Sequence, residues 1–224
     1  EVNSRLSRSR SFEKEVLILA DSAELKGILG VVPQPSGVVL FAHGSGSGRL
    51  SPRNNFVARF LQNTGIATLL VDLLEESEAL DREKVFDIDL LAKRLLTCAH
   101  WLRQQPETRG LSLGYFGAST GAAAALQAAA REPPQGVSAI VSRGGRPDLA
   151  LDYLTLVQAP TLLIVGGDDR PVVPLNQTAY DKLRCPKELI IVPRASHLFE
   201  EPGALDKVAE LARDWFMKHF LPQA

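Results

Sequence analysis

Apolar residues along this chain fall into short unbroken runs, separated by longer stretches in which they recur at helical spacing. The runs KEVLILA, LKGILGVVP, GVVLFA, IATLLVDLL, LSLGYFG, GVSAIVSR, TLLIVGG and ELIIVPRA are rich in Val, Ile and Leu and read as eight strands. Continuous rather than alternating apolarity marks strands covered on both faces, as in parallel sheets. A tight DSAE turn joins the first two runs, which predicts an antiparallel start. Helical period appears from Pro52 to Asn63, where Phe56, Val57, Phe60 and Leu61 share a face. It continues over 81–105, with Val85, Ile88, Leu91, Leu95, Ala99 and Leu102 in register and Pro106 closing the run. Further helices are predicted over 120–131, Asn176–Leu183 and Ala204–Phe220. The alternation predicts an α/β fold: one mostly parallel, doubly wound sheet of about eight strands, an antiparallel N-terminal strand, and helices on both faces.

Length and composition narrow this without changing it. At 224 residues, with no internal repeat and no low-complexity linker, the chain reads as one domain over 13–224. The opening EVNSRLSRSRSF is polar and Arg/Ser-rich, so residues 1–12 are expected to form a mobile arm with no cleavable leader pattern. A formal charge of -1 gives no basis for a nucleic-acid partner, and no apolar run approaches the roughly 18 residues that span a bilayer. Cys98 and Cys185 are too few and too far apart for a disulfide framework or a zinc site, and buried thiols suit a reducing, cytoplasmic setting. Metal-ligand spacing is not seen, so neither metal nor cofactor is expected.

In an open α/β sheet, ligands gather at the carboxyl ends of the strands. Those positions carry His43-Gly44-Ser45-Gly46-Ser47-Gly48 after the third run, Ser119 after the fifth, Asp168 and Asp169 after the seventh, and Ser196 and His197 after the eighth. A serine hydroxyl becomes a nucleophile only when a base takes its proton, and the base needs an acid to fix its tautomer. Gly117-Ala-Ser119-Thr-Gly121 fits G-x-S-x-G, in which serine occupies a strained strand-to-helix turn, and serine, acid and histidine follow in that chain order. The same stretch, GYFGASTG, also fits a glycine loop for a dinucleotide phosphate, with Arg143 placed to read a 2′-phosphate. About four strands come before it, however, and a nucleotide loop leaves Asp169 and His197 without a role. An NADP-dependent oxidoreductase is the weakest reading.

From about Glu15 to Phe220 the chain resembles the α/β-hydrolase superfamily, nearest to its compact dienelactone hydrolase-like branch, through FAHGSGSG, GASTG, IVGGDDRPVVP and ASHLF. The resemblance implies Ser119 as nucleophile, His197 as general base and then acid, and Asp169 as the orienting acid, with Asp168 the alternative. It also implies an oxyanion hole from the backbone N–H of Thr120 and a second donor at Ser45. Members of that branch resemble a cysteine-nucleophile pattern, whereas the elbow here carries serine, which favours ester over lactone cleavage. The expected activity is cofactor-free hydrolysis of small carboxylic esters. Acyl transfer, thioester or lactone cleavage and perhydrolysis use the same constellation, and a non-catalytic binding or regulatory relative is the second reading.

Arg53, Arg143 and Arg146 also follow strands on this rim and could clamp a carboxylate or phosphate of the substrate. The alternative is that they are surface residues or are tied to Asp148 or Asp72. His43, beside the proposed oxyanion loop, reads as a structural hydrogen-bonding residue. The short connection from Arg146 to Pro160 holds one helical stretch, LALDYLTLVQ. It predicts a minimal lid, an accessible site for small substrates, and one wall of an acyl pocket.

Overall fold

The computed structural model describes residues 10–222. The strands are β1 (Phe12–Ala20), β2 (Ala23–Val31), β3 (Val38–Ala42), β4 (Ala67–Val71), β5 (Leu113–Ala118), β6 (Ala139–Arg143), β7 (Thr161–Gly166) and β8 (Lys187–Val192). The helices are α1 (Pro52–Asn63), α2 (Glu76–Ala79), α3 (Arg82–Val85), α4 (Ile88–Gln104), α5 (Thr120–Arg131), α6 (Val173–Lys182) and α7 (Ala204–His219), with a 3₁₀ helix at Pro147–Leu156. Most of the arm expected over 1–12 lies outside the described residues, and β1 begins at its last position, Phe12.

All eight strands join one sheet in the order β1-β2-β4-β3-β5-β6-β7-β8. β2 runs against both neighbours, β1 and β4, and the remaining pairings are parallel. The antiparallel element is therefore the N-terminal hairpin. The inner strands β3, β4, β5, β6 and β7 are buried at every residue, as their unbroken apolar runs require. β1 alternates instead, with Glu13, Glu15 and Leu17 turned outward on the sheet edge. Two apolar layers result. One packs α4 and the alanine face of α5 against Leu40, Leu69 and Tyr115. The other packs α1 and α7 against Phe41, Phe116, Val141 and Ile164. No helix among the described residues is long and apolar enough to cross a membrane.

Two elements depart from the hydrophobic pattern. The helix expected over 81–105 is broken into α3 and α4 at Phe86-Asp87. Asp81 accepts from the Glu83 N–H and Asp87 from the Leu90 N–H, so each starts a new helix by capping orphan donors. The apolar period runs on unbroken through that point. Ahead of it, the acidic stretch forms α2, anchored where Glu78 meets Arg94, whose guanidinium also donates to the Leu73 carbonyl at 2.9 Å. The stretch LALDYLTLVQ becomes the 3₁₀ helix, kinked at Ala150. Among the described residues nothing larger covers the rim between β6 and β7, which leaves the lid minimal.

Candidate active site

Parallel pairing from β4 to β8 brings the carboxyl ends of β3, β5, β6, β7 and β8 to one rim. Ser119 stands between β5 and α5 with φ 51° and ψ -121°, a left-handed backbone for a residue that carries a Cβ. Such a conformation stores about 1–3 kcal/mol and persists only where the surroundings impose it. Here the flanking glycines impose it. A Cβ on Gly121 would lie 2.1 Å from the Ala42 carbonyl oxygen, and one on Gly117 would lie 2.5 Å from Cα of Ala122. The Ser119 N–H donates to the Arg143 carbonyl at 3.3 Å, and its carbonyl accepts from the Arg146 N–H at 3.0 Å. Both sides of the elbow are thus tied, one to the end of β6 and the other to the loop after it.

That loop also meets the histidine. Gly144 has φ +52°, and a Cβ there would lie 3.4 Å from Nδ1 and Cε1 of His197. His197 Nδ1 and Asp169 Oδ2 are 2.6 Å apart. The carboxylate can only accept, so Nδ1 carries the hydrogen of this bond and Nε2 is the nitrogen left to other partners. Asp169 is buried in a turn whose carbonyl accepts from the Val172 and Val173 N–H groups at the start of α6. Asp168, the alternative acid, is exposed, and its N–H is bound to the Ala195 carbonyl. Of the two, Asp169 is the one that meets His197.

On the other flank, the loop after β3 abuts the elbow. A Cβ on Gly44 would lie 3.1 Å from Cβ of Ser119. Thr120 begins α5, so its N–H is one of the helix's orphan donors, and Ser45 sits exposed on the facing loop. Two supports hold this loop. His43 Nε2 accepts the Leu73 N–H at 2.9 Å, which leaves Nδ1 to donate to the Gly44 carbonyl at 2.9 Å. Burial drives the His43 pKa below its ordinary value and so keeps the ring neutral, as that pairing needs. Arg49 closes the loop by donating to Asp72 through both its backbone N–H and its guanidinium. The Arg49–Asp72 pair has no local sequence signature, because its partners lie on different strand ends.

The three arginines separate. Arg146 makes a two-point bond to Asp148, at 2.9 and 2.8 Å, which engages its guanidinium. Arg53 lies on the first turn of α1, and Arg143 ends β6 in a buried position. A cavity of about 680 Å³ opens beside the elbow, lined by His43, Ser45, Arg53, Leu74, Val85 and Thr120 among others. Its apolar wall comes from the segment around α2 and α3, rather than from the 3₁₀ helix assigned that role from sequence.

No family model matches the chain. Two curated Mycobacterium tuberculosis proteins, from strains CDC 1551 and H37Rv and each named "Putative phosphoribosyl transferase", are 55% identical to it over 207 residues. That match takes in 92% of the chain and 46% of each relative, so the chain spans about half their length. Among solved structures, a dienelactone hydrolase from Anabaena variabilis superposes with a TM-score of 0.91 at 53% identity, over 95% of this chain and all of that one. Est1E from Butyrivibrio proteoclasticus superposes at 0.78 with 14% identity, over 92% and 98% of the two chains. XC6422 from Xanthomonas campestris, described as an α/β serine hydrolase without a lid, gives 0.76 with 20% identity over 96% and 97%. These last two share the fold.

Proposed function

Because the chain belongs to the dienelactone hydrolase family of α/β hydrolases, we propose that it is a serine hydrolase cleaving small carboxylic esters through an acyl-Ser119 intermediate. The observation that carries this reading is the 2.6 Å bond between His197 and Asp169 on the rim where Ser119 is held in a strained elbow. His197 Nε2 takes the proton from Ser119 Oγ as the oxygen attacks the ester carbonyl. The carbonyl oxygen becomes an oxyanion, stabilised by the N–H groups of Thr120 and Ser45 and by the N-terminus of α5. Collapse of this intermediate breaks the C–O bond, and His197 returns its proton to the leaving alkoxide. Water, deprotonated by the same nitrogen, then releases the acid and frees Ser119.

Asp169 keeps the imidazole in the required tautomer and stabilises its cation when it forms. Thioester, lactone and acyl-acceptor chemistry would use the same atoms. The low cover over the rim supports small substrates that enter directly from solvent. The transferase name of the Mycobacterium relatives belongs to proteins about twice as long. A serine, a histidine and a carboxylate on one rim fit acyl transfer to water better than transfer of a phosphoribosyl group. The free buried thiols of Cys98 and Cys185 support a reducing, cytoplasmic setting.

A panel of short p-nitrophenyl esters, lactones and thioesters, run on wild type and Ser119→Ala, tests the reading. Short esters should be turned over by the wild type, with kcat lower by about 10⁴-fold or more in Ser119→Ala. Undiminished turnover in that variant would sink it.

A further inference from the structure

Arg143 is 5% exposed, and its guanidinium makes no hydrogen bond or ion pair with any described residue. Its Nε is fully enclosed and has no partner. Burying a guanidinium without a counter-ion is costly, and a bound anion would offset that cost. Alternation along β6 sets Arg143 on the sheet face of Ala139 and Val141, which pack with Val57 and Ala58 of α1. Arg53 stands on the first turn of that same helix, and its Nε is likewise buried and unpartnered. The side chain of Arg53 lines the cavity shared by Ser45 and Thr120. Burial, and then the nearby Arg53 charge, push the Arg143 pKa down to about 10. The neighbouring acids are already engaged, Asp72 by Arg49 and Asp148 by Arg146. The backbone adds a donor, because Pro52 occupies the first turn of α1 and Arg53 follows it with an N–H that helix geometry leaves orphaned.

We propose that Arg53 and Arg143 form a dianion subsite beside the oxyanion loop, which receives the phosphate group of a phosphorylated ester substrate. The proposal rests on Ser119 as the nucleophile of the neighbouring chemistry, and it adds the substrate class. Two uncompensated guanidinium charges and a helix N-terminus match a phosphate dianion, whereas a single carboxylate would leave one charge unmet. The ester bond is cleaved at Ser119, and the phosphate remains intact as the handle that positions it. Arg143 also lies one strand from the elbow, with its carbonyl bound to the Ser119 N–H, so the handle and the scissile bond share one support.

The test compares kcat/KM for 2-(butanoyloxy)ethyl phosphate, its neutral dimethyl phosphate triester, and 3-(butanoyloxy)propanoate. The phosphate ester should be favoured over both by about tenfold or more, each tenfold being about 1.4 kcal/mol. Arg143→Met and Arg53→Gln should each cut the phosphate-to-neutral ratio by about tenfold. A ratio near one, a preference for the carboxylate ester, or a ratio unchanged in both variants would overturn the proposal while leaving the serine-hydrolase reading in place. Should none of the esters be turned over, calorimetric titration of Ser119→Ala with inorganic phosphate separates the two questions. Saturable binding that Arg53→Gln weakens supports the subsite, and its absence overturns it. Arg53 is half-buried on an outer turn, so its variant carries the test even if Arg143→Met fails to fold.

Discussion

Replacing Gly121 by alanine is the sharpest probe of why the elbow has its shape. The new Cβ would lie 2.1 Å from the carbonyl oxygen of Ala42 and 2.6 Å from that of His43. Ordinary contact begins near 3.4 Å, so the first turn of α5 and the end of β3 must part by about 1.3 Å (3.4 − 2.1). Overpacking of this kind costs about 1–3 kcal/mol. Both contacting atoms are backbone at the centre of the sheet and cannot swing aside, which puts the expected loss near 3 kcal/mol. For a chain of this length that is a fall of about 6–12 °C in Tm. The same parting separates Thr120 from Ser45, and a misplacement of about 1 Å costs about 100-fold in rate. Urea unfolding followed by tryptophan fluorescence, with esterase assays on the folded fraction, measures both. Gly46→Ala is the control, since Gly46 has φ +70° and nothing within 4 Å, so only about 1 kcal/mol of backbone strain is expected there. Stability of Gly121→Ala within about 0.5 kcal/mol of wild type, or a larger loss in Gly46→Ala, would refute this packing argument.

Three further outcomes follow from other contacts. Asp169→Asn should lower kcat by about 10⁴-fold with little change in unfolding midpoint, because the amide favours the wrong imidazole tautomer; steady-state kinetics and urea melts check both halves. His43→Phe leaves the buried Leu73 N–H without an acceptor and should cost about 1–3 kcal/mol in urea. The folded His43 resists protonation, so the unfolded chain binds the proton first and wild-type stability should fall as pH drops below about 6.5, a slope that His43→Phe should flatten. Arg94 hydrogen bonds hold the Glu78 pKa near 2 rather than 4.5, so that contribution is present above 4.5 and lost as pH falls toward 2. Because the pair borders solvent, the loss should be about 1–2 kcal/mol, and Glu78→Gln should remove it from acid melts.

Much of this architecture was legible because it is local. The eight strands announce themselves as apolar runs, and Ser119, Asp169 and His197 each lie within five residues of a strand end. The elbow was legible because Gly117, Ser119 and Gly121 fall within one pentapeptide. Three things were not. The break at Asp87 is decided by a side-chain cap, which competes with an apolar period that continues through it. The choice between Asp168 and Asp169 depends on which way a turn faces, and burial separates them only in three dimensions. The arginines looked alike in sequence. Arg146 finds Asp148 two residues on, while Arg143 is buried at the end of β6 and pairs with no acid among the described residues, a difference set by tertiary packing.

The central claim is that chemistry passes through Ser119 Oγ, and trapping that bond tests it most directly. The protein is incubated with a fluorophosphonate, or with p-nitrophenyl butanoate followed by acid quench, and digested for mass spectrometry. One adduct per chain is expected, on the peptide containing Gly114–Gly121 and localised to Ser119, and absent from Ser119→Ala. An adduct on any other residue, or steady turnover of the ester with no adduct at Ser119, would contradict it.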